Sequence, residues 1–491
     1  MKTNNLLLTA LLCIVILFGF NLNINAQTQK GSDIDGETPG IYSGGAVCMP
    51  DSNTVAIGAF VGGAMAGQVR IYTWDGSSWQ QKGLEIDGEA VGDWSGKSVS
   101  MPDANTVAIG APRNEENGDD AGQVRIYAWD GSSWQKKGND IDGNAAYIWF
   151  GNSVSMPNAN TVAIGAPNSS KIVDEGHVSI YSWNTTSSGW IQRGNDIVGE
   201  AIGDWSGFSI SMPDTNTVAI GAPRNNGSGF YAGQVRIYKW NGNTWMQKGA
   251  DIDGDATYDQ SGFSVSMPDA NTIAIGALYN DEGGTDAGQV RIYVWNGSNW
   301  ILKGKSITGE STDDASGSSV CMPDSNTVAI GAPYNDGSGT NAGHVRIYTW
   351  EGNNWVQKGD DIDGESADDQ SGFPVSMPDA NTIAIGAWFN GLSDAGHVRI
   401  YTLNNVNFQQ DDFEDYLTIY PNPTVENVTI DLGNTFPLVE VIVRNTLGQE
   451  VSRNLFHNSS IIQLSIKEKA GVYFIELNAD NLRYFNKVII K

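Results

Sequence analysis

The chain has 491 residues, with 56 acidic and 28 basic side chains and a formal net charge of −28. A surface this acidic excludes nucleic acid and anionic membrane surfaces as partners, because both would be repelled. Three cysteines in so long a chain exclude a disulfide framework as the source of its stability.

Residues 1–26 begin with a positive charge at Lys2, continue through an apolar run over 6–20 and reach Ala26 through a short polar stretch. That is the pattern of a cleaved secretory signal peptide. The apolar run, about 15 residues, is shorter than the ~20 that span a bilayer, which argues against a membrane anchor. No later segment is apolar enough to cross a membrane. The mature chain is therefore expected outside the inner membrane, one unit more negative after losing Lys2.

Beyond the leader the sequence repeats itself. The phrase MPDANTVAIGA at 101–111 has near-copies starting at Met49, Met156, Met212, Met267, Met322 and Met377, spaced by 52, 55, 56, 55, 55 and 55 residues. Periods of this size belong to propellers and solenoids. One copy reads as four short strands: 98–101, 106–111, 123–129 and 134–143, separated by the turns PDAN and DGSS and by one long polar loop. Branched and aromatic residues between Gly, Asn, Asp and Pro turns are strand signals, and residues 27–404 lack the apolar period of a helix. Seven copies of four strands predict an all-β chain whose residues 27–403 form a seven-bladed β-propeller. In TVAIGA, Val107 and Ile109 face one way and Ala108 and Gly110 the other; the small face lets a neighbouring blade approach. The seventh copy stops at 397–403 without a fourth strand, whereas 28–36 supply a fourth strand without the other three. Residues 28–36 are expected to complete the seventh blade and remove its open edge.

Cys48 and Cys321 occupy one repeat position, held elsewhere by Ser100, Ser155, Ser211, Ser266 and Ser376. They stand in the first and sixth copies, too far apart for a disulfide. Arg125 on the third strand and Asp142 on the fourth are expected to form an ion pair within their blade, repeated in most blades. His177, His344 and His397 fill the slot of Gln68, Gln123, Gln234 and Gln289, so they look structural.

The repeats resemble the FG-GAP propeller repeats of integrin α chains and bacterial surface proteins. The matching residues are Gly110-Ala111-Pro112, Gly165-Ala166-Pro167, Gly221-Ala222-Pro223 and Gly331-Ala332-Pro333, with Phe150-Gly151 as the literal FG and Ser-Gly elsewhere. Calcium-binding members of that family carry an Asp-rich loop between the first two strands. The short PDAN turn cannot supply the ~6–8 oxygen ligands of Ca2+, so that site is not carried over. Acidic stretches in the long loops, 113–120 and 280–286, leave Ca2+ as a candidate there beside the plainer reading of solvated loops.

Residues 404–416 read as a polar linker. Residues 417–491 alternate apolar side chains with Gly and Asn turns, which suggests a small Ig-like β-sandwich, and their seven acids balance seven bases. They resemble the C-terminal sorting domain of type IX secretion, through Tyr420, Pro421, Asn422 and Pro423, through Gly471 and Tyr473, and through Lys487 to Lys491. The resemblance implies the type IX machinery as a partner, and release outside the cell or attachment to its surface.

The second-to-third-strand loops and the blade-to-blade loops share one face, which makes that face the candidate site. It carries Trp94, Trp149, Phe150, Trp205, Tyr231, Tyr279, Tyr334, Trp388 and Phe389. Aromatic faces beside hydrogen-bonding groups suit a glycan or a protein ligand; the same rings could instead cap blade interfaces. Two functions are compatible with this: a binding or adhesion module, or a secreted polysaccharide lyase or glycoside hydrolase working through paired loop carboxylates. No nucleophile–base pair or zinc spacing is visible, which favours binding.

Overall fold

The computed structural model describes residues 24–168, 175–390, 394–406, 417–445, 449–479 and 482–491. Residues 1–23 of the expected leader and 407–416 of the expected linker lie outside them. The chain divides into two units, one of residues 25–404 and one that contains the C-terminal strands.

Seven sheets make up the first unit, each with the same strand order. In the second blade, Ser98–Asp103 pairs with Thr106–Ala111, which pairs with Gln123–Trp129. Trp134–Lys136 and Ile141–Asp142 both pair with Gln123–Trp129. The fourth strand is thus not continuous over 134–143 as expected; residues 137–140 bulge out of it. The bulge follows from packing against the next blade. Gly138 has φ +82°, and a Cβ there would sit 2.6 Å from the Trp183 ring. Only glycine fits. Lys137 beside it caps the first turn of the next blade, donating to the carbonyl of Ala159 and to Asn160 Oδ1. Its ammonium lies 5.2 and 5.5 Å from the ring centroids of Trp183 and Trp190, and Trp190 Nε1 donates back to the Lys137 carbonyl. A short helical turn, Gly62–Met65, lies in a loop of the first blade.

The seventh blade joins both ends of the unit. Val375–Asp379, Thr382–Ala387 and His397–Val406 supply three strands, and Ile24–Gln29 with Ile34–Asp35 line up against His397–Val406. Ile34 pairs with Val398, and Asp35 with His397.

Inside the ring, each blade fastens the next by the residue immediately before the repeated Met-Pro. Met156 N–H donates to Ser100 Oγ, Met212 to Ser155, Met267 to Ser211 and Met322 to Ser266. Met101 and Met377 donate to Cys48 and Cys321 Sγ, and Met49 donates to Ser376, which closes the circle. The two cysteines are free thiols, and they stand in for serine as acceptors. Burial pushes each thiol up to about 11. At pH 8 both are expected to react with a thiol reagent on the order of a hundredfold more slowly than an unfolded cysteine; a rate within tenfold of the denatured protein would show that the ring opens.

The third-strand arginines do not pair within their own blades as expected. Arg125 reaches the preceding blade, with Nη1 3.7 Å from Glu89 and Nη2 donating to the Asp87 carbonyl and to Ser95 Oγ. Arg70, Arg236, Arg291, Arg346 and Arg399 reach Glu37, Glu200, Asp255, Glu310 and Glu365 in the same way. Arg346 alone among them also meets its own blade, at Asp361. A guanidinium is long enough to cross the seam, and its planar fork can satisfy a carboxylate and two neutral acceptors together.

The seam between the second and third blades is built differently. Ser179 replaces the arginine, Asn144 the acid, and Phe150 the serine that every other seam has, as at Ser95; Ile148 stands where most seams have an aspartate such as Asp93 and the first copy has Ile41. Ile148 and Phe150 are each 2% exposed and belong to one apolar cluster with Ala108, Val124 and Ile164. The space vacated by the guanidinium is filled by a phenyl ring.

The C-terminal unit is a small β-sandwich built on one bent sheet. Its strands are Thr418–Tyr420, Asn427–Arg444, Glu450–Ser465, Gly471–Ala479 and Leu482–Ile490. The long strand Asn427–Arg444 pairs with Thr418–Tyr420 through its first part and with Gly471–Ala479 through its last, and its register slips near Gly433. Val428 and Ile430 before the slip and Val441 and Val443 after it share one core with Ile475 and Leu477. The sheet therefore folds over on itself.

Candidate functional site

A pocket of about 360 Å³ opens where the blade-to-blade loops converge. Its inner wall takes one residue from every blade: Gly45, Lys97, Asn152, Phe208, Phe263, Ser318 and Phe373. Contributions from all seven blades place it on the ring axis. Each of these residues follows the Ser-Gly or Phe-Gly that precedes the first strand. Its volume is within the range of small-molecule sites, ~300–1,000 Å³.

The wall has two unlike arcs. One is aromatic. Trp205 stacks on Phe208 at 5.8 Å; Phe208 meets Phe263 at 4.8 Å; Phe263 meets Phe373 at 6.4 Å; Phe373 meets Trp388 at 5.6 Å. Trp388 continues to Phe60 at 5.7 Å, and Phe60 to Trp94 at 5.8 Å. The other arc carries Lys97, Arg113, Asn152 and Trp149. Arg113 lies flat over Trp94 at 3.5 Å, and Arg224 over Trp205 at 3.3 Å. Lys97 Nζ lies 5.1 Å from the Phe60 ring centroid. Burial among these rings lowers the Lys97 pKa. No carboxylate lines the pocket.

The backbone that presents the rings is unusual. Tyr42, Trp94, Trp149 and Trp205 have φ of 55°, 57°, 55° and 57°, in the left-handed region. Gln260, Ala315 and Gln370 share that conformation in the other blades. The turn is thus fixed by the scaffold, and its side chain is free to vary.

Of the residues expected on this face, Trp94, Trp149 and Trp205 line the pocket. Trp388 joins through Phe373, and Phe389 backs it, with its ring 4.8 Å from Trp388 and 5.3 Å from Tyr42. Tyr231 does not line the pocket; it stacks on Phe230 at 4.1 Å, lies edge-on to Tyr258, and reaches Trp205 only through Arg224, 5.3 Å from its ring. Tyr279 and Tyr334 are exposed, at 36% and 38%. Phe150 is buried in the apolar seam and presents no ring to solvent. The sequence reading missed the inner wall itself. Its signal was the residue after Ser-Gly or Phe-Gly, which takes five types in seven copies while the glycine before it is constant.

Two groups of carboxylate and histidine converge elsewhere, Asp33, Asp35 and His397 and Glu310, His344 and Asp361, and one of carboxylates alone, Glu89, Glu116 and Asp140. Each has a protein cation beside it. Arg346 bridges Glu310 and Asp361. Lys136 bridges Glu89 and Asp140, and the charge of Arg399 bears on His397. In the acidic loops, Asp281 accepts from Asp286 N–H and Asn280 from Glu282 N–H, as turn-forming side chains do.

In the C-terminal unit the structure brings the separated sorting-motif residues together. Asn422 Nδ2 donates to the Lys487 carbonyl, and Asn422 Oδ1 accepts from Ile489 N–H. Lys491 N–H donates to the Thr424 carbonyl. The segment carrying Tyr420, Pro421, Asn422 and Pro423 is thereby clipped to the last strand. Tyr473, two residues after Gly471, is buried and donates to the Lys469 carbonyl.

Known proteins agree with part of this picture. No curated protein matches the chain. Solved structures similar to it include the β-propeller domain of a trilobed protease from Pyrococcus furiosus, which has an open velcro topology. That match has 10% identity and a TM-score of 0.44, over 78% of this chain and 99% of that one. An acylaminoacyl peptidase from Pyrococcus horikoshii matches at 11% identity and a TM-score of 0.43, over 83% of this chain and 59% of its own. An acylaminoacyl peptidase in complex with a chloromethyl ketone matches at 11% identity and a TM-score of 0.43, over 80% of this chain and 58% of its own. The chain spans less than two thirds of the length of either peptidase. No helix among the described residues is long and apolar enough to cross a membrane. Residues 418–491 match the family of secretion system C-terminal sorting domains, so the chain ends in a type IX sorting domain and is exported by that route to the cell surface or beyond.

Proposed function

We propose that the exported propeller, with repeats of the FG-GAP type, is a binding module that holds a glycan in its axial pocket. The observation that supports this most directly is the asymmetry of the pocket wall. Rings from five blades form an apolar arc, and Asn152, Lys97 and Arg113 offer polar groups opposite. Sugars present one apolar face and a rim of hydroxyls, which such a wall complements. Adhesion at a cell surface is the role that follows for a secreted module of this kind.

The enzyme reading fits the pocket less well. Hydrolysis of a glycosidic bond by paired acids needs two carboxyl groups ~5–10 Å apart around the substrate, and the pocket lining has none. The blade-seam grooves do hold carboxylates, such as Asp251, Asp253 and Asp255, but they recur from blade to blade as seam partners of arginine.

The test is a glycan array probed with the secreted chain, with and without Ca2+, followed by product analysis of every ligand found. Binding without turnover is expected, and it should be lost in Phe208→Ala combined with Phe263→Ala. Cleaved or unsaturated products would replace the binding reading with catalysis. Silence towards every glycan would overturn it.

A further inference from the structure

The propeller is strongly acidic, yet its axial pocket is lined by positive charge. Nearly every partly buried cation in the propeller has a fixed partner. Seam arginines meet carboxylates, and seam lysines such as Lys82, Lys248 and Lys303 cap the carbonyls of the next blade. Among the described residues, the side chains of Lys97, Arg113 and Arg224 make neither an ion pair nor a hydrogen bond. Arg113 and Arg224 each leave Nε buried without a partner. All three are held instead by aromatic rings. Two of them, Lys97 and Arg113, line the pocket.

A cation stripped of water without a counter-charge is a standing cost to the fold. The lowered pKa of Lys97 is one sign of it. The cost is removed when a ligand brings the missing anion. Beside these cations stands Trp149, half-buried in the pocket lining, which makes no ring or cation contact among the described residues. Asn152 Nδ2 donates to the Phe208 carbonyl and leaves Oδ1 as an acceptor for a hydroxyl.

We infer that the pocket selects a uronate, a sugar whose ring carries a carboxylate. This deepens the glycan reading above and rests on it. The carboxylate meets Lys97 and Arg113, the apolar face of the sugar ring lies on Trp149, and a ring hydroxyl donates to Asn152. Guanidinium and ammonium groups bind a carboxylate through charge-assisted hydrogen bonds, the strong kind. A neutral sugar fills the same space but leaves both cations unpaired. Selectivity follows from the pocket rather than from the net charge of the protein, which repels anions at long range and is screened over about 8 Å at physiological salt.

The test uses calorimetry on the full secreted chain. The probes are tri-uronides of galacturonic, glucuronic and mannuronic acid, their methyl esters, and oligoglutamate. The ester keeps the shape and removes the charge. At least one tri-uronide should bind about tenfold or more tighter than its ester. Lys97→Met and Arg113→Gln should each shrink that ratio towards one, by weakening the acid more than the ester. Lys97→Met should melt no lower than the parent, since it removes a desolvated charge, so lost binding cannot be laid to misfolding. Equal binding of acid and ester would overturn the uronate inference and leave the glycan reading standing. Silence towards every uronide, with a neutral glycan bound on the array, would do the same. Binding of oligoglutamate alone, with no glycan bound, would overturn both and point to an acidic peptide.

Discussion

A propeller lacking residues 24–36 is expected to melt at least about 10 °C lower than the full unit. Those residues supply the outer strand of the seventh blade, and more than hydrogen bonds leaves with them. Ile34 is buried in the apolar cluster shared by the first and seventh blades. Lys30 caps the first turn of the first blade at Ser52 and Asn53 and lies 5.3 Å from the ring centroids of Trp74 and Trp79. Trp79 Nε1 loses its acceptor, the Lys30 carbonyl. Burial of one isoleucine and loss of several hydrogen bonds together come to about 5 kcal/mol or more, and each kcal/mol moves the midpoint of a domain this large by roughly 2 °C. The edge of His397–Val406 would also be left open to pair with another chain. Differential scanning calorimetry of the deletion decides the matter: an unchanged midpoint would show that the ring does not depend on this strand. Adding a peptide of residues 24–37 back should restore much of the loss.

The second large effect is expected at a single methyl group. Gly110 faces the next blade so closely that a Cβ would lie 2.0 Å from the Gly151 carbonyl oxygen. That oxygen belongs to backbone, which cannot swing aside, and Gly151 is itself hydrogen-bonded to Gly165. Gly110→Ala must therefore pry two blades apart near the axis, where the Met–Ser hydrogen bonds run. A cost above about 4 kcal/mol is expected, at the extreme end of single substitutions. Gly189→Ala is the control: its Cβ would meet nothing closer than 3.7 Å, and a change within about 0.5 kcal/mol is expected. Chemical denaturation of both variants tests the contrast. Equal stability of the two would mean that the blades do not approach as described.

The repeat made the architecture readable before any coordinates. Strand periodicity of two, turn residues at fixed offsets and the small face of TVAIGA all pointed to one answer. What stayed hidden were contacts between copies. The arginine's acid lies across the seam in the preceding blade, and the copy without the arginine, at Ser179, faces the seam without the acid, at Asn144. Ser179, Asn144, Ile148 and Phe150 change together within one seam, and a reader looking across seams could have paired them. Phe150 reads as a loop-face ring because it sits in a blade-to-blade loop. Aligned copy by copy, it falls on the buried serine position, one residue past the pocket-facing tryptophans. The axial wall was missed for a different reason. A position that takes five residue types in seven copies resembles noise until geometry shows that all seven meet at one point.

The N-terminal strand and its partner in the seventh blade lie more than 360 residues apart in sequence. Contacts this distant form last and slowly. Until His397–Val406 has emerged, the first-made strand has no edge to join and the circle of backbone donors cannot be completed. A chain cut short anywhere in the seventh copy keeps an unpaired edge, and a whole chain hides it. The ring thus acts as a check on its own completeness, distinguishing finished chains from fragments by whether they can close.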